Sequence, residues 1–211
     1  MAILRIFLCF AFVGVALAAE WDCSATSGVF TRSTDCVVSS QIEVTNILSI
    51  TGVVNASGVL PRVVGGGSNR LFYVGSGGNL TIRSLNLTGG NVSYLCDNSA
   101  LCWGGAIYVK ESFLKMVDAY VVGNKAKRGG GLYIDTRAIH DDQKAAVVLK
   151  NTSVASNEVI QMAGGIYVSG SFLTMVQGTI ENNVAIDYHT GGLEADLGAE
   201  VNLIGTTIKS N

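Results

Sequence analysis

The chain has 211 residues, of which 48% are hydrophobic and only 14% charged, with 26 glycines, 1 proline and a formal net charge of -2. So few charges beside so much apolar surface exclude intrinsic disorder, and glycine scattered without a G-X-Y period excludes collagen. With 14 basic residues against 16 acidic ones there is no basic footprint for a phosphate backbone, so no nucleic-acid partner is expected.

At the N-terminus, Arg5 precedes an apolar run from Ile6 to Leu17, which closes on Ala16-Leu17-Ala18. This is the pattern of a secretory signal, and the run is shorter than the roughly 20 apolar residues of a membrane span. Residues 1–18 are therefore expected to be removed on export, leaving a mature chain without a transmembrane segment at the cell surface or in the extracellular medium. Cys9 leaves with the signal, and Cys23, Cys36, Cys96 and Cys102 remain as disulfide candidates in an oxidising compartment. Four cysteines allow three connectivities, among which Cys23–Cys36 and Cys96–Cys102 close the shortest loops. No C-x-x-C spacing occurs, and His140 and His189 lie far from the cysteines, so no metal and no cofactor are expected. Asn55, Asn79, Asn86, Asn91 and Asn151 each open an N-x-S/T sequon, an acceptor for N-glycosylation.

Residues 19–45, with one cysteine pair, are read as an N-terminal cap, and residues 46–211 as repeats of about 25 to 35 residues. Gly104-Gly105-Ala106-Ile107-Tyr108-Val109 recurs as Gly129-Gly130-Gly131-Leu132-Tyr133-Ile134, as Gly164-Gly165-Ile166-Tyr167-Val168 and as Gly191-Gly192-Leu193-Glu194-Ala195, with Phe72-Tyr73-Val74 as an earlier copy without glycines. A second column pairs apolar residues across one intervening position: Leu48/Ile50, Leu80/Ile82, Leu114/Met116, Val147/Leu149, Leu173/Met175 and Val201/Leu203. That is the period of a strand with one buried face. A third column runs Leu87, Val121, Val154, Ile180 and Ile208, the last four each followed three residues later by Asn124, Asn157, Asn183 or Asn211. Asparagine and glycine tolerate a left-handed backbone, so these positions are expected to be the bends.

A unit of three short strands cannot bury its inner face alone, but stacking like on like gives a continuous apolar interior. The expected fold is all-β: a single-stranded, right-handed parallel β-helix of five to six coils, open or truncated at its C-terminal end. Such an end suggests self-association through the last coil.

The G-G-A-I motif, with a second motif in aliphatic form (Val121-Val122-Gly123-Asn124 and its copies at 154–157, 180–183 and 208–211), resembles the repeats of chlamydial polymorphic outer membrane proteins and the wider pectin-lyase-like superfamily. The resemblance implies a surface protein used in adhesion or display.

Tyr73, Tyr108, Tyr133 and Tyr167 occupy one outward column and are expected to stack as an exposed aromatic stripe, a candidate platform for a polysaccharide or cell-surface partner. The bland reading of the same column is that cross-strand tyrosines stabilise the sheet or lie beneath a loop. Two insertions lengthen the repeat, one holding Cys96 and Cys102 and the other spanning Asp135 to Ala145. The second carries Arg137, His140, Asp141, Asp142 and Lys144, in which a polyuronide lyase or glycosidase would use the carboxylates with His140 as proton carrier. Adjacent residues on a strand point apart, and the other signatures of such enzymes are missing. The sequence therefore favours a binding protein without catalysis, with a degenerate carbohydrate-active enzyme and a purely structural matrix protein as alternatives.

Overall fold

The computed structural model describes residues 18–94, 100–136, 144–187 and 189–211. Residues 1–17 of the expected signal segment, Cys96, Arg137 and the candidate acid-base residues His140, Asp141 and Asp142 lie outside them. Apart from a 3-10 turn at Ala100–Cys102, every regular element among the described residues is a strand. The strands form four sheets in which every pairing between strands is parallel, with eight, seven, six and three strands, here called sheets 1 to 4. One coil illustrates the path: Ile107–Lys110 in sheet 3, Phe113–Val117 in sheet 1, Tyr120–Val122 in sheet 2 and Lys125–Arg128 in sheet 4, before Leu132–Asp135 returns to sheet 3.

The sequence columns are the ladders of this parallel β-helix. Leu80, Leu114, Val147, Leu173 and Val201 are successive partners in sheet 1. Leu87, Val121, Val154, Ile180 and Ile208 are successive partners in sheet 2. Phe72, Ile107, Leu132, Ile166 and Leu193 follow one another in sheet 3. Because alternate side chains face one way, each column points into the tube, and one continuous core runs from Trp21 to Ile180.

The stacked coils also take in the N-terminal segment. Gly28–Arg32 pairs with Ile47–Gly52, and Cys36–Val38 pairs with Arg62–Gly65, so the segment read as a cap also forms a coil. Its register sets Gly28 against Leu48, a glycine where later coils place an aliphatic residue, and this hides the repeat from the sequence. Cys23 and Cys36 are disulfide-bonded. Trp21 is fully buried and stacks on Phe72 with centroids 6.0 Å apart, closing this end of the core.

The asparagine column has a different role from the one its residue type suggests. The left-handed residues are those immediately before it: Gly89, Gly123, Ser156, Asn182 and Ser210, with φ between 52° and 71°. Asn124, Asn157 and Asn183 are themselves buried, and their side chains form a ladder. The Oδ1 of Asn157 accepts from the backbone N and the Nδ2 of Asn124, each at 3.0 Å. Its Nδ2 donates to Val121 O and to Asn183 Oδ1, both at 3.0 Å. Asn183 repeats the pattern with Val154 and Asn211, and Gly90 N heads the ladder by donating to Asn124 Oδ1. Every amide hydrogen and both acceptor positions of a buried Asn157 are thus used, which removes the penalty of burying an amide.

The glycine pairs lie against this ladder. A Cβ on Gly130 would stand 2.4 Å from Gly164 O, and one on Gly164 would stand 2.5 Å from Gly191 O, so the coils approach there backbone to backbone.

Asn157→Ala is expected to lower stability by about 3 kcal/mol, because it strands buried donors on Asn124 and the Val121 carbonyl. Ser156→Gly, at the left-handed position, is expected to be neutral or stabilising by up to about 1 kcal/mol. Urea unfolding midpoints at constant slope read both, and equal losses at 156 and 157 would contradict the ladder. Gly130→Ala, forced against a backbone carbonyl, is expected to cost about 1–3 kcal/mol in the same assay.

Candidate binding face

Sheet 3 carries the tyrosine column on its outer side. Within Ile107–Lys110, Ile107 and Val109 face the core while Tyr108 and Lys110 face out, and the parallel register carries this through the neighbouring coils. One outer column therefore reads Glu43, Tyr73, Tyr108, Tyr133, Tyr167 and Glu194, and the next reads Lys110, Asp135, Ser169 and Asp196.

The tyrosines do stack. Centroids are 5.4 Å apart for Tyr73–Tyr108, 5.2 Å for Tyr108–Tyr133 and 4.9 Å for Tyr133–Tyr167, the first two edge-on and the last parallel. They do not form an exposed stripe, however: Tyr108, Tyr133 and Tyr167 are each only 3% exposed, and Tyr73 alone is half-buried. The cover comes from the first insertion. Trp103 lies against Tyr133 at 4.7 Å, and Cys102 and Ala163 complete a second apolar cluster outside the tube. Cys102 is disulfide-bonded; Cys96, its expected partner, is outside the described residues. The guanidinium of Arg128 sits 5.7 Å from the Trp103 ring centre, within cation–π range.

Polar groups satisfy the buried hydroxyls. Tyr108 donates to Asp135 Oδ2 at 3.2 Å, and Tyr167 donates to Asp196 Oδ2 at 2.6 Å. Burial first, and then the neighbouring Asp135 carboxylate, pushes the Tyr108 hydroxyl pKa far above its ordinary value. Tyr133 is raised by burial and by Asp135, and Tyr167 by burial and its bond to Asp196.

Two cavities open at the ends of this aromatic cluster. One, of about 300 Å³, is lined by Gln41, Glu43, Arg70, Tyr73, Tyr108 and Lys110 among others. The other, of about 280 Å³, is lined by Trp103, Arg128, Tyr133, Asp135, Tyr167 and Asp196 among others. Arg70 is 3% exposed and is the residue that sequence reasoning missed. The only signal for it was a lone cation directly before the core run Leu71-Phe72. Trp103 is a packing residue whose position over the tyrosines depends on a fold-back invisible in a strand pattern.

The remaining sequence candidates are dispersed. Asn55, Asn79 and Asn151 are exposed, whereas Asn86 and Asn91 are half-buried, and Asn91 Oδ1 accepts from the N and Oγ of Ser93. Of the ionisable insertion, Lys144 is described, with its ammonium 4.9 Å from the Phe172 ring centre. Among the described residues no three His, Cys, Asp or Glu side chains gather as a metal site, and no helix is long and apolar enough to cross a membrane.

Stacked parallel sheets, in-register columns and an Asn ladder make this a parallel β-helix repeat protein. Residues 93–110, which run through Trp103 and the Gly104–Ile107 motif into sheet 3, match the Chlamydia polymorphic membrane protein repeat. No curated protein and no solved structure matches the chain.

Free tyrosine ionises near pH 10, and the three buried hydroxyls have raised folded values. Their contribution to stability is complete below pH 10 and is lost as pH rises through the folded values, because the unfolded chain releases those protons first. Absorbance titration at 295 nm is expected to leave three of the 7 tyrosines protonated above pH 10 until the fold is lost. A single transition near pH 10 for all of them, with near-UV dichroism intact, would contradict their burial.

Proposed function

We propose that the protein is a non-catalytic β-helix, secreted or displayed at a cell surface, that works by binding a saccharide chain or a cell-surface partner through the outer side of sheet 3. The observation that carries this reading is the pair of cavities that flank one aromatic cluster, each mixing ring faces with charged side chains. Ligand sites are concave and set convergent polar groups against apolar walls, and both cavities combine tyrosine rings with charged side chains in this way. Both lie on a stacked sheet that gives the side chains a rigid base. The match to a repeat named for a membrane protein family supports placement at the cell surface.

The burial of Tyr108, Tyr133 and Tyr167 favours a second reading, in which the ladder only stabilises the solenoid and the protein is a structural surface component. Tyr73, half-buried and in contact with the larger cavity of the two, separates the readings. On a glycan array and on intact host cells, wild type is expected to bind and Tyr73→Ala to lose about tenfold or more in affinity with unchanged far-UV dichroism. Absence of wild-type signal on both would leave the structural role. Incubation with pectin or alginate is expected to release no unsaturated or reducing ends, and turnover would overturn the non-catalytic reading.

A further inference from the structure

Arg70 is a buried cation surrounded by neutral acceptors. Its Nε donates to Trp103 O at 2.9 Å and Gly104 O at 3.0 Å, and its Nη2 donates to the carbonyls of Ala100, Leu101 and Trp103. Its Nη1 donates to Gln41 Oε1. Among the described residues no carboxylate pairs with it. A guanidinium carries five N–H donors in a fixed fork, and Nη1 supplies two of them, so one N–H has no acceptor among these contacts. Burial moves the Arg70 pKa down to about 10, which leaves it charged at neutral pH. A buried charge without a counter-ion is costly, and an arriving anion would relieve that cost.

The surroundings point to what kind of anion fits. The carbonyl cage fixes the guanidinium plane before any ligand arrives, and Arg70 also stands 5.2 Å from the Tyr108 ring centre. Lys110 adds a second cation to the cavity wall, and Glu43 adds one anion, held through Gln41 Nε2 at 3.3 Å from Glu43 Oε1. Among the described residues the lining thus has one net positive charge, which matches a singly charged ligand and disfavours a dianion beside Glu43. The half-buried ring of Tyr73 supplies the apolar wall that the C–H face of a pyranose needs, while Glu43 and Gln41 supply partners for its hydroxyls.

We infer that this cavity is a subsite for an acidic sugar, a saccharide residue carrying one negative charge that is received by Arg70 and Lys110. The inference rests on the saccharide-binding reading above and names the chemical class that this end of the face selects. At the other cavity Asp135 and Asp196 line the wall, so the acidic residue belongs at the Arg70 end.

The test is calorimetric titration of the whole protein with 3′-sialyllactose, 3′-sulfolactose and lactose. Either acidic sugar is expected to bind at least about tenfold tighter than lactose, and the tighter of the two identifies carboxylate or sulfate as the charge received. Lys110→Gln is expected to lower the ratio of acidic-sugar to lactose affinity about three- to tenfold, and Glu43→Gln to raise it. Arg70→Gln is expected to abolish the preference, and the two surface variants keep the test valid if this buried substitution does not fold. Equal affinity for all three sugars would overturn the acidic subsite and leave saccharide binding standing. Binding of none of them, with signal elsewhere on a glycan array, would also overturn it. Loss of all glycan signal would instead remove the parent reading.

Discussion

The fold depends on how closely one coil can lie on the next at a single corner. There the asparagine ladder and the glycine stack are two sides of one constraint. Each Asn amide must reach the amide of the next coil and a carbonyl of the coil before it, and it can do so only if the facing backbone carries no side chain. Gly165 and Gly192 stand where a Cβ would crowd the amides of Asn183 and Asn211. Hydrogen bonds along the corner are buried and satisfied, so the ladder holds the coil spacing that the aliphatic columns of sheets 1 to 3 then fill. Without that corner the parallel ladders would still set the height of each coil, but the turn between sheets 2 and 4 would lose its buried hydrogen-bond partners.

The outer side of sheet 3 shows a different balance. Stacked tyrosines on a regular sheet would ordinarily present their rings to water. Here the first insertion folds back and lays Trp103 over them, turning a surface feature into a second, smaller core. Arg70 is part of the same closure, since its bonds to the carbonyls of residues 100, 101, 103 and 104 tie the insertion down. One guanidinium thereby ties down the insertion and lines the recess that remains beside it, which is small and charged.

Much of the architecture was legible in the sequence because strand periodicity and coil stacking are both local arithmetic. The pairs Leu114/Met116 and Val147/Leu149 announce a buried face, and their common spacing announces the register. The first coil was not legible, because Gly28 occupies a core column and leaves no apolar mark there. The bends were assigned one residue late: asparagine was read through its backbone tolerance, while its side chain performs the work and Ser156 or Asn182 takes the left-handed conformation. The tyrosine column was placed on the correct side of the sheet but given the wrong environment. Strand patterns say which way a side chain points, and they do not say what an insertion dozens of residues away will lay over it. Arg70 was illegible for the same reason, since its partners are carbonyls that only the fold-back brings near.

The asparagine ladder also has a consequence for how the chain reaches its native state. Identical rungs make the solenoid nearly periodic along its axis, so a pairing displaced by one coil would satisfy the same amides and bury similar aliphatics. Such slipped arrangements are kinetic competitors, and the repeats themselves do little to discourage them. What breaks the degeneracy are the features that occur once: Trp21 over Phe72, the Cys23–Cys36 bond, Arg70 in its cage and Trp103 on its two tyrosines. These irregularities act as a vernier on an otherwise uniform scale, setting which coil is which.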